Sequence, residues 1–215
     1  MAAALPDLTT FIRENFELMA TPSVPEIRIH KAGPKSGLWR LAEADDAFGN
    51  PYWAYHWGGG LALARHVPDH PVVVAGRRVL DLGAGSGIVG IAAAKAGARH
   101  VVAADIDPYA ITAIRLNAEA NGVMIETMLG DLMAGAPPDV DVVLAGDTFY
   151  NAEVATQAAA FLGRCLDKGI DVLVGDPGRA FLPRERLELV AEYPGGDFGD
   201  GAQDSARLNA VFAFR

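Results

Sequence analysis

From Arg77 onward, short apolar runs alternate with longer amphipathic ones. The runs at residues 79–82, 101–105, 125–129, 140–146 and 171–175 have the length and β-branched content of buried strands. Between them, residues 88–96, 108–121, 153–166 and 183–190 carry helical spacing. Pro108 suits the first turn of a helix, and Gly97 and Gly122 suit helix ends. The stretch between the third and fourth runs is too short, and too rich in proline and glycine, for a long helix. This alternation predicts an α/β fold with a doubly wound, mostly parallel sheet and helices on both faces. The tail departs from it. "LELVAEYPGGDF" and "ARLNAVFAFR" read as two strands around a Gly/Asp-rich loop with no helix between them. They would complete seven strands with an antiparallel hairpin.

Ahead of this region the pattern is different. Leu8, Ile12, Phe16 and Met19 recur at helical intervals and predict an amphipathic helix over residues 5–19. Ile27 and Ile29 alternate in a short strand. Trp39, Phe48, Tyr52, Trp53, Tyr55 and Trp57 then crowd into nineteen residues, followed by a triple glycine that reads as flexible before a further helix. Residues 1–60 are therefore expected to form an extension packed on a domain of residues 61–215, the whole being one globular unit.

Composition narrows the function. The net charge of −9 and the lack of a basic stripe disfavour nucleic acid, and the acidic balance permits a basic protein patch or a small molecule as substrate. Cys165 is the only cysteine, so neither a disulfide framework nor a zinc cluster is expected. The histidines lack ligand spacing, and no metal is expected. No apolar run is long enough to span a membrane, and the first residues lack a secretory pattern. A cytoplasmic monomer is the expectation.

"RRVLDLGAGSGIVGIAAAKAG" places a tight turn between a buried strand and a helix, where glycine allows backbone to approach a ligand closely. Read from Gly85, it is the G-x-G-x-x-G of a nicotinamide dinucleotide site. Read from Gly83, it is G-x-G-x-G behind an acid, a pattern that suits S-adenosylmethionine. Three acids decide between them. Asp105 ends the second strand, where a carboxylate can accept from both hydroxyls of a ribose, and this fits either ligand. Asp107 is the better candidate to cap the helix beginning near Pro108. Asp81 discriminates: beside a pyrophosphate it would be repelled, beside the methionyl ammonium attracted. Asp131, after the third strand, can bracket an adenine edge, with Ile106 and Leu132 on the two ring faces.

The fourth strand runs out at "GDTFY". Methyl transfer to an amine needs the nitrogen lone pair free and aimed along the S–CH3 axis. Acceptors and an aromatic face can hold the amine so, and positioning carries much of the rate. Asp147 and Tyr150 have the D-x-x-Y spacing for this work; a cap for the next helix is the other role open to Asp147. "GDPGRAF" sets Asp176 and Arg179 on the same rim as candidate substrate contacts; Trp57 is expected at the cofactor or acceptor mouth, and Trp53 is open to a substrate contact there or to a place in the core. The residues alone reach an S-adenosylmethionine-dependent N-methyltransferase. A nicotinamide-dependent oxidoreductase would leave Asp81 and the hairpin unexplained, and a non-catalytic cofactor-binding module would have no use for D-T-F-Y.

Together these stretches resemble the seven-strand, Rossmann-like methyltransferases, and more narrowly their lysine-targeting family 16. "NPYWAYHWGGGLALARHV", "LAGDTFYN" and "VGDPGRAFLP" are similar to the members that modify electron transfer flavoprotein β-subunit. The resemblance implies that Asp81, Gly83 and Gly85 hold the methionyl end of S-adenosylmethionine. It implies Asp105 on the ribose, Asp131 on the adenine and Trp57 bordering the cofactor. It implies that Asp147 and Tyr150 shape a lysine channel, with S-adenosylhomocysteine as product and the flavoprotein β-subunit as substrate. A methyltransferase for small amines such as nicotinamide shares every motif up to Asp131 and stays the alternative.

Overall fold

The computed structural model describes residues 7–197 and 207–215. Among these residues the strands are β1 (Glu17–Ala20), β2 (Arg28–Lys31), β3 (Arg78–Leu82), β4 (His100–Asp105), β5 (Glu126–Leu129), β6 (Val142–Gly146), β7 (Asp171–Asp176), β8 (Leu187–Pro194) and β9 (Leu208–Phe214). The helices are α1 (Leu8–Asn15), α2 (Trp39–Ala44), α3 (Gly58–Asp69), α4 (Ile88–Lys95), α5 (Pro108–Ala120) and α6 (Ala152–Asp167). Seven strands form one sheet in the order β5-β4-β3-β6-β7-β9-β8. The first five are mutually parallel, and β9 runs antiparallel between β7 and β8. The doubly wound sheet with a terminal hairpin is thus the observed fold.

Alternation along β3 divides the core. Val79 packs with Leu61, Leu63, Ile88 and Ile91 of α3 and α4 on one face. Leu80 and Leu82 pack with Phe161 and Leu162 of α6 on the other. Asp107 caps α5, its carboxylate accepting the Tyr109 N–H at 2.8 Å, as its place before Pro108 suggests. No helix among the described residues is long and apolar enough to cross a membrane.

Two expected helices are corrected. The first stops at Asn15, because Phe16 turns extended (φ −108°, ψ 138°) and residues 17–20 pair with β2. Met19 lies opposite Ile29 and is 41% exposed, not on a buried helical stripe. Leu5 and Pro6 lie outside the described residues. Residues 183–190 form one short 3-10 turn (Arg184–Arg186) and then β8. There the chain pairs with β9 from Leu187, with a register shift between Leu189 and Ala191, a tertiary contact that overrides local helical spacing. Most of the Gly/Asp-rich loop after β8 lies outside the described residues.

The N-terminal hairpin is tied to the sheet domain through α5. Fully buried Asn117 accepts the His30 N–H at 2.8 Å and donates to the Ser86 carbonyl at 2.8 Å. One turn later, Asn121 accepts the Arg28 N–H and donates to the Arg28 carbonyl. Two side-chain amides at helical spacing therefore satisfy the free edge of β2 as a neighbouring strand would.

Candidate active site

The carboxyl ends of β3, β4, β6 and β7 converge where connections leave β3 and β6 in opposite directions, the crevice such sheets use for ligands. Gly83, Gly85 and Gly87 have φ of 65°, 52° and 78°, values a side chain would strain. Gly85 N–H donates to Asp105 Oδ2 at 2.8 Å, and Asp107 N–H donates to Asp105 Oδ1 at 3.0 Å. Asp105 thus locks the glycine loop, and each oxygen keeps a further lone pair. Burial raises its pKa, opposed by the backbone N–H groups of Asp107, Gly85 and Ile106.

The other two acids sit differently. Asp81 is buried beneath the loop and accepts the Gly90 N–H of α4 at 2.8 Å. Burial pushes its pKa up to about 7, with Gly90 opposing and the Asp105 charge adding to the rise. Asp131 is exposed and accepts from Met133 N–H at 2.9 Å and Ala134 N–H at 3.3 Å, a local turn. Leu132 is half-buried against the α6-side core, whereas Ile106 is 69% exposed.

Asp147 has φ 58°, the one left-handed non-glycine among the described residues. That backbone turns its carboxylate onto the start of α3. Oδ1 accepts the Gly59 N–H at 3.0 Å, and Oδ2 accepts the Gly60 N–H at 2.6 Å. Asp197 accepts the Gly58 N–H at 2.8 Å. Three N–H groups that a helix start leaves unpaired are therefore held by carboxylates distant in sequence, in favourable alignment with the helix dipole. The triple glycine is the first turn of α3, a correction to its reading as flexible. A methyl group at Gly59 would overlap the Gly175 carbonyl, and one at Gly58 would collide with the Asn209 amide. The helix meets β7 backbone to backbone. Asp147 does not cap α6; Asn151 does, accepting the Val154 N–H at 2.9 Å.

Arg179 closes the cluster. Its guanidinium pairs with Asp147, reaches Asp197 at 2.9 Å and lies 3.8 Å from Asp176. Fully buried Asp176 accepts the Gly178 N–H at 2.7 Å and the Arg179 N–H at 2.6 Å. Burial raises the Asp147 pKa to about 6, Arg179 and Gly60 pulling it down and Asp197 pushing it up. Asp176 and Arg179, expected to contact substrate, instead form an internal brace: the guanidinium is engaged by Asp147 and Asp197, and Asp176 is fully buried, its Oδ1 held by two backbone N–H groups and its Oδ2 without a hydrogen-bond partner among the described residues.

The two candidate tryptophans part company. Trp53 is 2% exposed, stacked between Phe16 (5.7 Å, 10°) and Tyr109 (6.1 Å, 12°), so of the two roles open to it the core of the extension is the one it takes, and not the substrate contact. Trp57 lies at the mouth with Tyr52 and Tyr150. Tyr52 packs edge-on against Trp57 at 5.5 Å and tilted against Tyr150 at 5.7 Å. Tyr52, Asp197 and Thr148 were not singled out from sequence. Thr148 is buried with its hydroxyl lacking a protein partner, and its methyl group is the nearest atom to a Cβ built at Gly83, 3.7 Å away. Its place in D-T-F-Y is the only signal that could have marked it.

A family model described as ribosomal protein L11 methyltransferase (PrmA) matches residues 69–146. Over a longer span, the electron transfer flavoprotein beta subunit lysine methyltransferase of Xenopus laevis is 41% identical over 190 residues, 86% of this chain and 77% of its own. This chain belongs to that family. The Homo sapiens relative of the same name is 38% identical over 195 residues, covering 87% and 74% of the two chains. Among solved structures, the ribosomal protein L11 methylase of Lactobacillus delbrueckii subsp. bulgaricus matches with TM-score 0.52 at 25% identity, covering 71% of this chain and 76% of its own. A methyltransferase family excludes the oxidoreductase reading of the glycine loop.

Proposed function

We propose that this methyltransferase transfers methyl groups from S-adenosylmethionine to lysine side chains of the electron transfer flavoprotein β-subunit. The observation that carries the reading is the union of the D-T-F-Y turn with the W-G-G-G helix. Asp147 holds the first turn of α3. Tyr150, three residues on, joins Tyr52 and Trp57 in a ring cluster beside the glycine loop.

The residues suit an adenosyl sulfonium ligand. Asp105 retains acceptor capacity for two ribose hydroxyls after engaging Gly85 and Asp107. The surface at Gly83 and Gly85 is open backbone, and the orphan Thr148 hydroxyl beside Gly83 offers a hydrogen bond. Buried Asp81 supplies negative charge beneath the loop toward a methionyl ammonium, and Asp131 and Leu132 flank the adenine side. When bound, S-adenosylmethionine supplies an electrophilic methyl group; its C–S bond breaks, the electron pair stays on sulfur and S-adenosylhomocysteine remains.

The chain's own work is to present a neutral amine. Lysine is almost wholly ammonium at neutral pH and must lose a proton first. Asp147 is a poor base, since its oxygens already serve two backbone N–H groups and Arg179. The rings instead strip water from the lysine head, which lowers its pKa and lets the proton pass to solvent. The electrostatics of a −9 chain favour a basic patch on the target.

The test is transfer from labelled S-adenosylmethionine to purified electron transfer flavoprotein, with peptide mass spectrometry of the product. Label on β-subunit lysines, lost in Tyr150→Ala, is expected. Label confined to a free amine such as nicotinamide would transfer the reading to small-molecule methylation.

A further inference from the structure

We infer that Tyr52, with Trp57 and Tyr150, forms a three-ring wall that binds a methylated ammonium in preference to a free one, and so sets how many methyl groups one lysine receives. This rests on the lysine reading above and adds a residue and a role to it. Tyr52 lies on the 3-10 turn Tyr52–Ala54, with its ring touching both others. The Trp57 indole N–H donates to the Tyr52 carbonyl at 3.0 Å, which fixes the pair as one unit. Tyr52 and Tyr150 are 46% and 43% exposed, so the wall is open to an incoming side chain.

The chemistry of the mouth selects for methyl groups. A free ammonium carries three N–H donors and needs three acceptors. The carboxylates around the crevice are committed elsewhere: Asp147 and Asp197 hold the first turn of α3 and share Arg179, and Asp105, whose charge reaches Tyr150, holds the glycine loop and, in the proposed function, the ribose. What remains is aromatic surface. Each added methyl replaces an N–H donor with an apolar group while the charge remains, and ring faces stabilise such a cation without hydrogen bonds. The methylated head is therefore held better than the unmodified one. A lysine that has received one methyl stays while S-adenosylhomocysteine leaves and a fresh S-adenosylmethionine enters, sheds its proton to water and becomes acceptor again; after the third, no proton is left to lose.

The decisive variants are Tyr52→Ala, Tyr52→Leu, which keeps apolar bulk without a π face, and Tyr52→Phe, which keeps the face. Tyr52 is exposed, and thermal melts should show all three folded. In ligand-detected NMR, the wild type should bind choline more tightly than its uncharged carbon isostere, and Tyr52→Phe should do the same. Tyr52→Ala and Tyr52→Leu should lose at least about threefold in choline affinity. With flavoprotein as substrate, intact-mass spectra of both variants should shift toward monomethyl-lysine, the second and third additions slowing more than the first. An unchanged product ratio in Tyr52→Ala would overturn the proposal, as would a wild type that binds choline no better than the isostere. If the wild type leaves the flavoprotein unmethylated, the lysine reading fails, and the choline preference still decides whether the wall exists.

Discussion

Asp147 and Arg179 are 32 residues apart in sequence and meet between the ends of β6 and β7, where one carboxylate serves both the guanidinium and the first turn of α3. The aspartate of D-x-x-Y is thus a structural joint before it is a substrate group. Truncating it leaves two buried N–H donors and one guanidinium short of acceptors. Asp147→Ala should cost about 3 kcal/mol in urea denaturation. Asp147→Asn should cost about half that, because asparagine tolerates the left-handed backbone and its Oδ1 still accepts. Since Asp147 is no base here, the folded Asn variant should keep the shape of the wild-type rate profile from about pH 7 to 9. Loss of an ionising limb would show instead that Asp147 takes the proton.

The glycines of the W-G-G-G helix are not equivalent. A side chain at Gly59 runs into the Gly175 backbone, which cannot yield without moving β7. At Gly60 the nearest atoms to a new Cβ are Asp147 Oδ2 and Ile88 Cγ2, both at 3.6 Å, an ordinary contact. Gly60→Ala should therefore be neutral or stabilise by about 0.5 kcal/mol through helix propensity. Gly59→Ala should destabilise by about 3 kcal/mol or more. Equal melting temperatures for the two variants would refute the close approach.

Much of this was legible in the sequence, and the reason differs by element. The strand at β3 and the cap at Asp107 are local signals: a short apolar run, and an acid before Pro108. The end of α1 is not local. Met19 continues a helical period, and only its pairing opposite Ile29 makes it a strand residue. Trp53 and Trp57 look alike in an aromatic run, and what separates them is Phe16 and Tyr109 closing over the first. The function of Asp147 depended on N–H groups 87 and 88 residues away, which no spacing rule reaches.

Asp81 makes stability depend on pH in a calculable direction. Burial raises its pKa from 3.8 to about 7 in the folded protein. A carboxyl raised on folding contributes stability in its protonated form, fully below about pH 4, and that contribution is lost as pH rises through about 7. Asp81→Asn keeps an acceptor for the Gly90 N–H and has no charge to bury. Its melting temperature should therefore gain on the wild type between about pH 4 and 7. Saturating S-adenosylmethionine should shrink the wild-type slope, because a ligand ammonium near Asp81 compensates the buried charge. Parallel melting curves for the two proteins would mean that Asp81 does not titrate in this range.

Asp105 offers the sharpest test of the cofactor site, because it has two duties that can be separated. It holds the loop through Gly85 and Asp107, and in the proposed function its remaining lone pairs accept from the ribose hydroxyls. Asp105→Ala removes both duties. Asp105→Asn keeps one acceptor oxygen and sets an amide donor where the other carboxylate oxygen stood, against a backbone N–H. Two charge-assisted hydrogen bonds to a sugar are worth about 3 kcal/mol together, so calorimetry should show S-adenosylmethionine binding weakened about a hundredfold in either variant. The melting temperature separates the duties: without a carboxylate to hold the loop, Asp105→Ala should melt a few degrees lower, too little to unfold the protein at 25 °C. A folded Asp105→Ala that binds S-adenosylmethionine with wild-type affinity would show that the ribose is held elsewhere and that Asp105 serves the loop alone.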